Sequence, residues 1–146
     1  MSATTSEIPF DEAVAKRFMG PTKGGGGLPE YLGFELVDAS PGTMTGRMDV
    51  REELLTPFGN MHGGVLSAFC DHMLGCVCYP AMKKGQWAAT TEFKINLTAP
   101  VSSGTLQARA EIINLSRTQA VVRIDVENDG RIAAVAQGTV TIRDPR

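Results

Sequence analysis

The chain has 146 residues, 42% of them hydrophobic, and a formal net charge of −2 at pH 7. This length supports one compact domain with a single core and is short for two. Acidic and basic residues are spread along the chain, so we expect no basic surface of the kind that binds nucleic acid. No run approaches the ~20 apolar residues of a membrane span, and residues 1–10 lack the order of a signal peptide, which favours a cytoplasmic protein without membrane insertion.

The first predicted element is a short amphipathic helix. Apolar residues recur at helical spacing over residues 10–19, and Asp11 suits a helix N-terminus. Residues 20–27 contain a proline and four consecutive glycines, whose backbone entropy disfavours regular structure, and they lack the Gly-Lys-Ser/Thr ending of a phosphate-binding loop. We therefore expect residues 1–27 to form a helix and a mobile glycine-rich connector, followed by the main domain at 28–146.

The main domain is predicted to be an α+β fold. A short helix or turn at 28–33 leads into a hairpin of two strands, in which apolar and polar residues alternate. After a long central helix, four extended segments separated by turn residues predict a consecutive antiparallel meander. Together these elements predict a curved antiparallel sheet that wraps one helix. The predicted strands are 34–39, 43–50, 87–97, 105–115, 119–128 and 132–142.

The central helix is the most informative stretch. It follows a glycine-rich turn, is mostly apolar on every side and is expected to end near Pro80, which predicts a helix buried within the fold. Asp71 lies in its middle, and a buried carboxylate is usually paired, hydrogen-bonded or used for chemistry. The cysteines form an odd, clustered set that predicts buried reduced thiols rather than disulfides. They are Cys70, Cys76 and Cys78.

The helix face that carries Asp71 offers room for a ligand, because its neighbours at helical spacing are small apart from Leu74. The opposite stripe is bulky and is predicted to pack against the sheet. The small face consists of Gly64, Ser67, Ala68, Gly75 and Cys78, and the bulky stripe consists of Val65, Phe69, Met73 and Val77.

The entrance of this helix offers backbone donors. The N–H groups of Gly63 and Gly64 have no intrahelical partner, and the helix dipole favours negative charge there, so they can stabilise a carbonyl oxygen as an oxyanion hole does. The eight-residue step from Gly63 to Asp71 spans roughly 12 Å along the axis. Because this is too far for both groups to act on one reacting atom, we expect a symmetric dimer that pairs Gly63 of one subunit with Asp71 of the other.

These residues carry a resemblance to a known family. His62-Gly63-Gly64, followed nine residues after the histidine by Asp71 and then by Gly75, resembles the motif of the hotdog-fold acyl-CoA thioesterases of the phenylacetate-degradation (PaaI-like) type. The resemblance covers about residues 33–142. It implies a hotdog fold, hydrolysis of an acyl-CoA thioester to a free acid and CoA, and a homodimer or dimer of dimers with sites between subunits. It implies no metal or cofactor, since CoA is part of the substrate.

The resemblance also implies roles for single residues. Asp71 corresponds to the catalytic carboxylate, acting as general base or as nucleophile, and Gly63 corresponds to the oxyanion donor. Thr90 corresponds to the hydroxyl that positions water. Relatives often carry an asparagine six residues before the motif's histidine, whereas Thr56 stands there in this chain and Asn60 lies closer. Either residue is a candidate for the missing asparagine.

Three of the remaining candidates have two interpretations each. His62 either takes part in catalysis or shapes the turn before the helix. Gly64 and Ser67 are candidate substrate-binding residues on the small face. Arg117, by similarity to basic turns in relatives, and Lys94 either hold the phosphates of CoA or are ordinary solvated charges.

Two other functions are compatible with the sequence. A hotdog dehydratase that acts on hydroxyacyl thioesters would require His62 for activity and would form an enoyl product. A module that binds acyl-CoA without turnover fits the presence of Thr56 in place of asparagine. Phe58, Met61 and Trp87 are candidates for an acyl pocket or, equally, for the core.

Overall fold

The computed structural model describes residues 7–145. All six predicted strands are confirmed to within one residue at each end. The central helix ends at Cys76, before the predicted end near Pro80. No helix in the described range is long and apolar enough to cross a lipid bilayer. Helices α1 to α3 span Glu12–Phe18, Gly27–Leu32 and Gly63–Cys76, with 3₁₀ turns at Glu52–Leu54 and Tyr79–Ala81. Strands β1 to β7 span Gly20–Pro21, Glu35–Ser40, Thr43–Asp49, Trp87–Leu97, Thr105–Leu115, Gln119–Asn128 and Arg131–Arg143.

The strands form one antiparallel sheet in the order β1-β2-β3-β5-β6-β7-β4. Strands β5, β6 and β7 form a meander as predicted, but β4 pairs with β7 and β5 pairs with β3. The predicted meander of four consecutive strands is therefore wrong for β4. Burial agrees with this order, because alternate residues of the interior strand β5 are buried, whereas no residue of the edge strand β4 is buried.

Helix α3 packs on one face of the sheet through its bulky stripe, as predicted. Phe69 and Met73 are fully buried, and the Phe69 ring lies 5.0 Å from the ring of Phe34. The prediction that the helix is buried on every side is wrong, because most of its small face, including Gly64 and Asp71, is exposed or half-buried in the protomer, and only Cys78 of that face is buried. The sheet covers only one side of α3, and glycine and alanine on the other side extend the apolar pattern without reaching the core.

The cysteines confirm the prediction of buried reduced thiols. All three are free and buried, and burial raises the pKa of each thiol to about 12. A thiol in such surroundings stays protonated and behaves as a small hydrophobic side chain.

The N-terminal helix is confirmed and is joined to the end of α3. The Asp11 side chain accepts a hydrogen bond from the Val14 N–H at 3.0 Å, and the Asp11 N–H donates to the carbonyl oxygen of Pro80 at 2.7 Å. The rings of Phe18 and Tyr79 lie 5.2 Å apart. The predicted connector is wrong at its start, because Gly20–Pro21 pairs with β2. The domain boundary at residue 28 stays a prediction.

Candidate active site

Helix α3 begins at the predicted glycine pair. His62 is its N-cap, and its Nδ1 accepts a hydrogen bond from the Gly64 N–H at 2.8 Å. This bond satisfies one of the N–H groups that a helix start leaves without a partner. The Gly63 N–H, in contrast, donates to no acceptor among residues 7–145. Of the two glycine N–H groups, the one at Gly63 is therefore free to bind a carbonyl oxygen.

A groove of about 280 Å³ opens beside Gly63. It brings three of the predicted site residues together, since Thr56, Asn60 and Gly63 all line it. Its apolar lining was not predicted in full. Leu97, at the end of a strand, and Val101, after a proline, have no sequence feature that distinguishes them from core residues. The apolar lining consists of Met61, Leu66, Leu97, Ala99, Pro100 and Val101.

The turn that carries Thr56 and Asn60 is closed by hydrogen bonds between these two residues. The Thr56 N–H donates to the Asn60 carbonyl oxygen at 2.7 Å, and the Thr56 hydroxyl donates to the Asn60 side-chain oxygen at 3.3 Å. The Asn60 amide nitrogen donates only a long bond of 3.5 Å, to the carbonyl oxygen of Met61. Asn60 is therefore the better placed of the two to donate to a ligand in the groove. Phe58, at the tip of the turn, is 92% exposed and belongs to no core.

Asp71 is exposed on the small face of α3. The prediction that its carboxylate is buried in the protomer is therefore wrong. Asp71 forms no hydrogen bond through its side chain and no ion pair with any residue of the described chain. The next residue, His72, turns toward the core, where its ring lies 5.0 Å from the Phe34 ring. Burial lowers the pKa of His72, and the charge of Asp71 opposes that shift. A structural role as a buried ion-pair partner is excluded for Asp71 within the protomer.

Thr90 lies on the sheet face that packs against α3. Its neighbour across the pair is Val140, which is fully buried, so the two side chains share the inner face. The register shifts between Thr90 and Glu92, and such a bulge redirects the side chains beside it. The Thr90 hydroxyl is half-buried and has no hydrogen-bond partner within the part of the chain that is described. It can therefore hold a water molecule.

Three further candidates also lie outside the groove. The Ser67 hydroxyl donates to the Gly63 carbonyl oxygen at 2.8 Å, within its own helix. Arg117 is exposed in the β5–β6 turn, near Lys83, beyond the C-terminal end of α3. Lys94 pairs across strands with the exposed Gln137, on the outer face of the sheet.

The sequence profile of the thioesterase superfamily matches residues 58–135, which is over half of the chain and includes α3 and the strands β4 to β6. The chain belongs to the thioesterase superfamily. This membership confirms the predicted class of enzyme, a thioester hydrolase.

Relatives and solved structures agree with this assignment to the thioesterase superfamily. A 1,4-dihydroxy-2-naphthoyl-CoA hydrolase of Listeria monocytogenes is 24% identical over 121 residues, covering 82% of this chain and 98% of the relative. A thioesterase of Haemophilus influenzae superposes with a TM-score of 0.74 at 27% identity, over 77% of this chain and 80% of the other. A phenylacetic acid degradation protein PaaI of Thermus thermophilus superposes with a TM-score of 0.70 at 28% identity, over 77% and 95%. The hotdog fold and the PaaI-like resemblance are thereby confirmed.

Proposed function

We propose that this thioesterase hydrolyses acyl-CoA, with each site formed between two copies of the chain. One observation carries the proposal: the two groups that the chemistry needs are both uncommitted. The Gly63 N–H has no acceptor among residues 7–145, and the Asp71 carboxylate has no hydrogen-bonded or charged partner there. Since the rise of the helix separates them by roughly 12 Å, a second copy is needed to bring them to one thioester.

The free edge of the sheet supports the pairing of two copies. Strand β4 ends the sheet, so its outer backbone groups have no neighbouring strand among those described. Its ends are marked by Trp87 and Leu97, which are 43% and 53% exposed. Edge strands of this kind are ready to pair with another chain. A two-fold pairing of β4 with its copy would cover the exposed side of α3 and leave two equivalent sites.

The reaction follows from these groups. The Asp71 carboxylate either takes a proton from a water molecule held by Thr90 or attacks the thioester carbon itself. The carbonyl oxygen gains negative charge as the new C–O bond forms, and the Gly63 N–H stabilises it. The C–S bond then breaks, and the leaving CoA thiolate takes up a proton. When Asp71 is the nucleophile, water hydrolyses the resulting anhydride, and the products are the same.

The geometry of His62 disfavours the dehydratase alternative. Its Nδ1 accepts the Gly64 N–H, so in the neutral ring the proton lies on Nε2. That tautomer leaves no ring nitrogen free to take a proton from a hydroxyacyl substrate. The hydrolase needs no such proton transfer from His62.

Incubation with a panel of acyl-CoA thioesters and a coloured thiol reagent tests the proposal. The chain's own thiols are buried and protonated, so released CoA is the thiol detected. We expect hydrolysis by the wild type and a loss of at least about a hundredfold in Asp71→Asn. Asp38→Asn, which makes the same change at another exposed aspartate, is the matched control and should retain activity. Binding without CoA release would instead support a non-catalytic acyl-CoA module.

A further inference from the structure

Strand β4 contains one residue more than β7 beside the candidate site. Thr90 pairs with Val140, and two residues further along β4, Glu92 pairs with Thr139, the neighbour of Val140. Thr91 therefore has no residue opposite it in the ladder and forms a β-bulge. Because side chains alternate between the two faces of a strand, one extra residue reverses which of them face inward from that point on.

The bulge decides that Thr90 faces inward. Beyond it, the odd-numbered residues of β4 face the core side of the sheet, as Phe93 does opposite the buried Gly138. A regular ladder continued back from there would place Thr91 opposite Val140 and turn Thr90 to the outer face. The extra residue instead gives the inward position to Thr90. It thereby places a hydroxyl that has no hydrogen bond within residues 7–145 on the side of the sheet that carries α3.

The Thr91 hydroxyl holds the bulge against β7. It donates a hydrogen bond of 3.0 Å to the Thr139 carbonyl oxygen and accepts a longer one of 3.5 Å from the Thr141 hydroxyl. The Thr139 hydroxyl donates to Glu92 Oε1 at 2.7 Å, which fixes the residue that follows the bulge. The Thr91 hydroxyl is therefore used for structure, while the Thr90 hydroxyl stays available for a water molecule.

Gly138 makes room for the same bulge. A Cβ at this position would lie 2.5 Å from Phe93 Cβ and 2.6 Å from the Glu92 carbonyl oxygen, far inside van der Waals contact. Opposite residues of an antiparallel pair normally keep their Cβ atoms about 4.5–5.5 Å apart. The backbone of β4 thus approaches β7 unusually closely just after Thr91, which a residue without a side chain permits.

We propose that Thr91 is a positioning residue that acts through Thr90, an inference that rests on the thioester hydrolysis proposed above. The Thr91 hydroxyl keeps the extra residue on the outer face, and the Thr90 hydroxyl thereby stays on the inner face, where it holds the attacking water. Without the Thr91 hydroxyl the regular register competes with the bulged one. An apolar side chain at position 91 gains burial by facing Val140, and Thr90 then turns outward.

Two substitutions of Thr91 test this role kinetically. Thr91→Val keeps the branched shape and removes the hydroxyl, whereas Thr91→Ser keeps the hydroxyl. We expect Thr91→Val to lower kcat for acyl-CoA about tenfold with KM unchanged, the loss expected for one hydrogen bond, and Thr91→Ser to stay within about twofold of the wild type. Thr105→Val is the matched control. It removes a hydroxyl that donates to Asp49 at 2.9 Å between β5 and β3, and it should change neither constant.

A double variant separates the positioning role from a general structural one. If Thr91 acts through Thr90, Thr91→Val should lower kcat no further in a protein that already carries Thr90→Val. A purely structural role would lower kcat by the same factor in both backgrounds. Equal factors, or a wild-type kcat in Thr91→Val, would overturn the inference. So would a loss of activity in Thr91→Val that is explained by dissociation of its copies in light scattering.

Nuclear magnetic resonance separates failure of this inference from failure of the proposed function, because it needs no substrate. The methyl groups of Thr90 and Val140 lie on one face of an opposite pair and should show a nuclear Overhauser effect in the wild type and in Thr91→Ser. This effect should be lost in Thr91→Val. In a protein that hydrolyses no acyl-CoA, that loss would still support the control of Thr90 by Thr91. Persistence of the effect in Thr91→Val would overturn the inference.

Discussion

The hydrogen bond between the Gly64 N–H and His62 Nδ1 predicts how His62 contributes to the protein. The bond is 2.8 Å long, and His62 is exposed, so its ring makes no buried contact that a substitution would remove. Replacing His62 by alanine leaves the Gly64 N–H without its cap. Asparagine at the same position can accept that N–H through its side-chain oxygen and is among the best N-cap residues. The two variants therefore separate the cap from the imidazole.

The size of the effect follows from the cap alone. Loss of an N-cap costs about 1 kcal/mol of the free energy of unfolding. In a domain of this size that loss corresponds to a fall in Tm of roughly 3 °C for His62→Ala. For His62→Asn we expect a Tm within about 1 °C of the wild type, because the capping bond is retained. Since α3 provides the centre of the core, loss of the cap affects the whole domain.

Thermal unfolding and acyl-CoA hydrolysis measured on the same preparations test this reasoning. A structural role predicts that His62→Asn keeps activity within about threefold of the wild type. Suppose instead that His62→Asn is as stable as the wild type and has lost about a hundredfold or more of kcat. His62 would then be a catalytic acid or base, and the interpretation as a cap would be insufficient.

Three further outcomes are expected. Burial lowers the pKa of His72, so the imidazole binds a proton in the unfolded chain before it does so in the folded protein as the pH falls below ~6.5. The free energy of unfolding of the wild type, measured in urea, should therefore decrease below that pH. His72→Gln should lack the part of this decrease that comes from His72. An identical pH dependence in both proteins would contradict this. Iodoacetamide at about pH 8 should leave Cys70, Cys76 and Cys78 unmodified in the native protein and alkylate all three in guanidinium, because burial raises their pKa to about 12; rapid native alkylation would refute their burial. Phe69→Ala should reduce the free energy of unfolding by about 3–5 kcal/mol, and a loss below about 1 kcal/mol would be inconsistent with its full burial.

Local patterns predicted the elements of this fold well. Apolar and polar residues alternate along β3 and β5, and burial in the structure follows the same period of two. The bulky stripe of α3 was also readable, because helical spacing alone places Phe69 and Met73 on one side. The pairing of strands was less accessible. Which strand lies beside β5 depends on contacts between residues far apart in the sequence, and the edge position of β4 is known only from the folded sheet.

The sequence predicted the reacting groups of the candidate site, but only part of the residues around them and not the exposure of the carboxylate. The motif singled out Gly63 and Asp71, and the structure leaves both groups uncommitted. The exposure of Asp71 was missed, because small apolar neighbours such as Gly75 look the same in a sequence whether they face a core or solvent. The lining of the groove beside Gly63 was predicted only in part: Met61 was a candidate for an acyl pocket, whereas Leu97 and Val101, at the end of β4 and in the connection that follows it, were not predicted.

Mixing two inactive variants tests the central claim of a site shared between subunits. Gly63→Pro removes the N–H at the first helical position, where proline is tolerated, and His62 already has the extended backbone that precedes a proline. Gly63→Ala is the control, because it places the same Cβ against Leu97 and keeps the N–H. We expect Asp71→Asn and Gly63→Pro to be inactive alone and to recover about a quarter of the wild-type activity when their subunits are exchanged at equal amounts, since each mixed dimer then holds one intact site. No recovery, although mixed dimers are shown to form, would contradict the shared site.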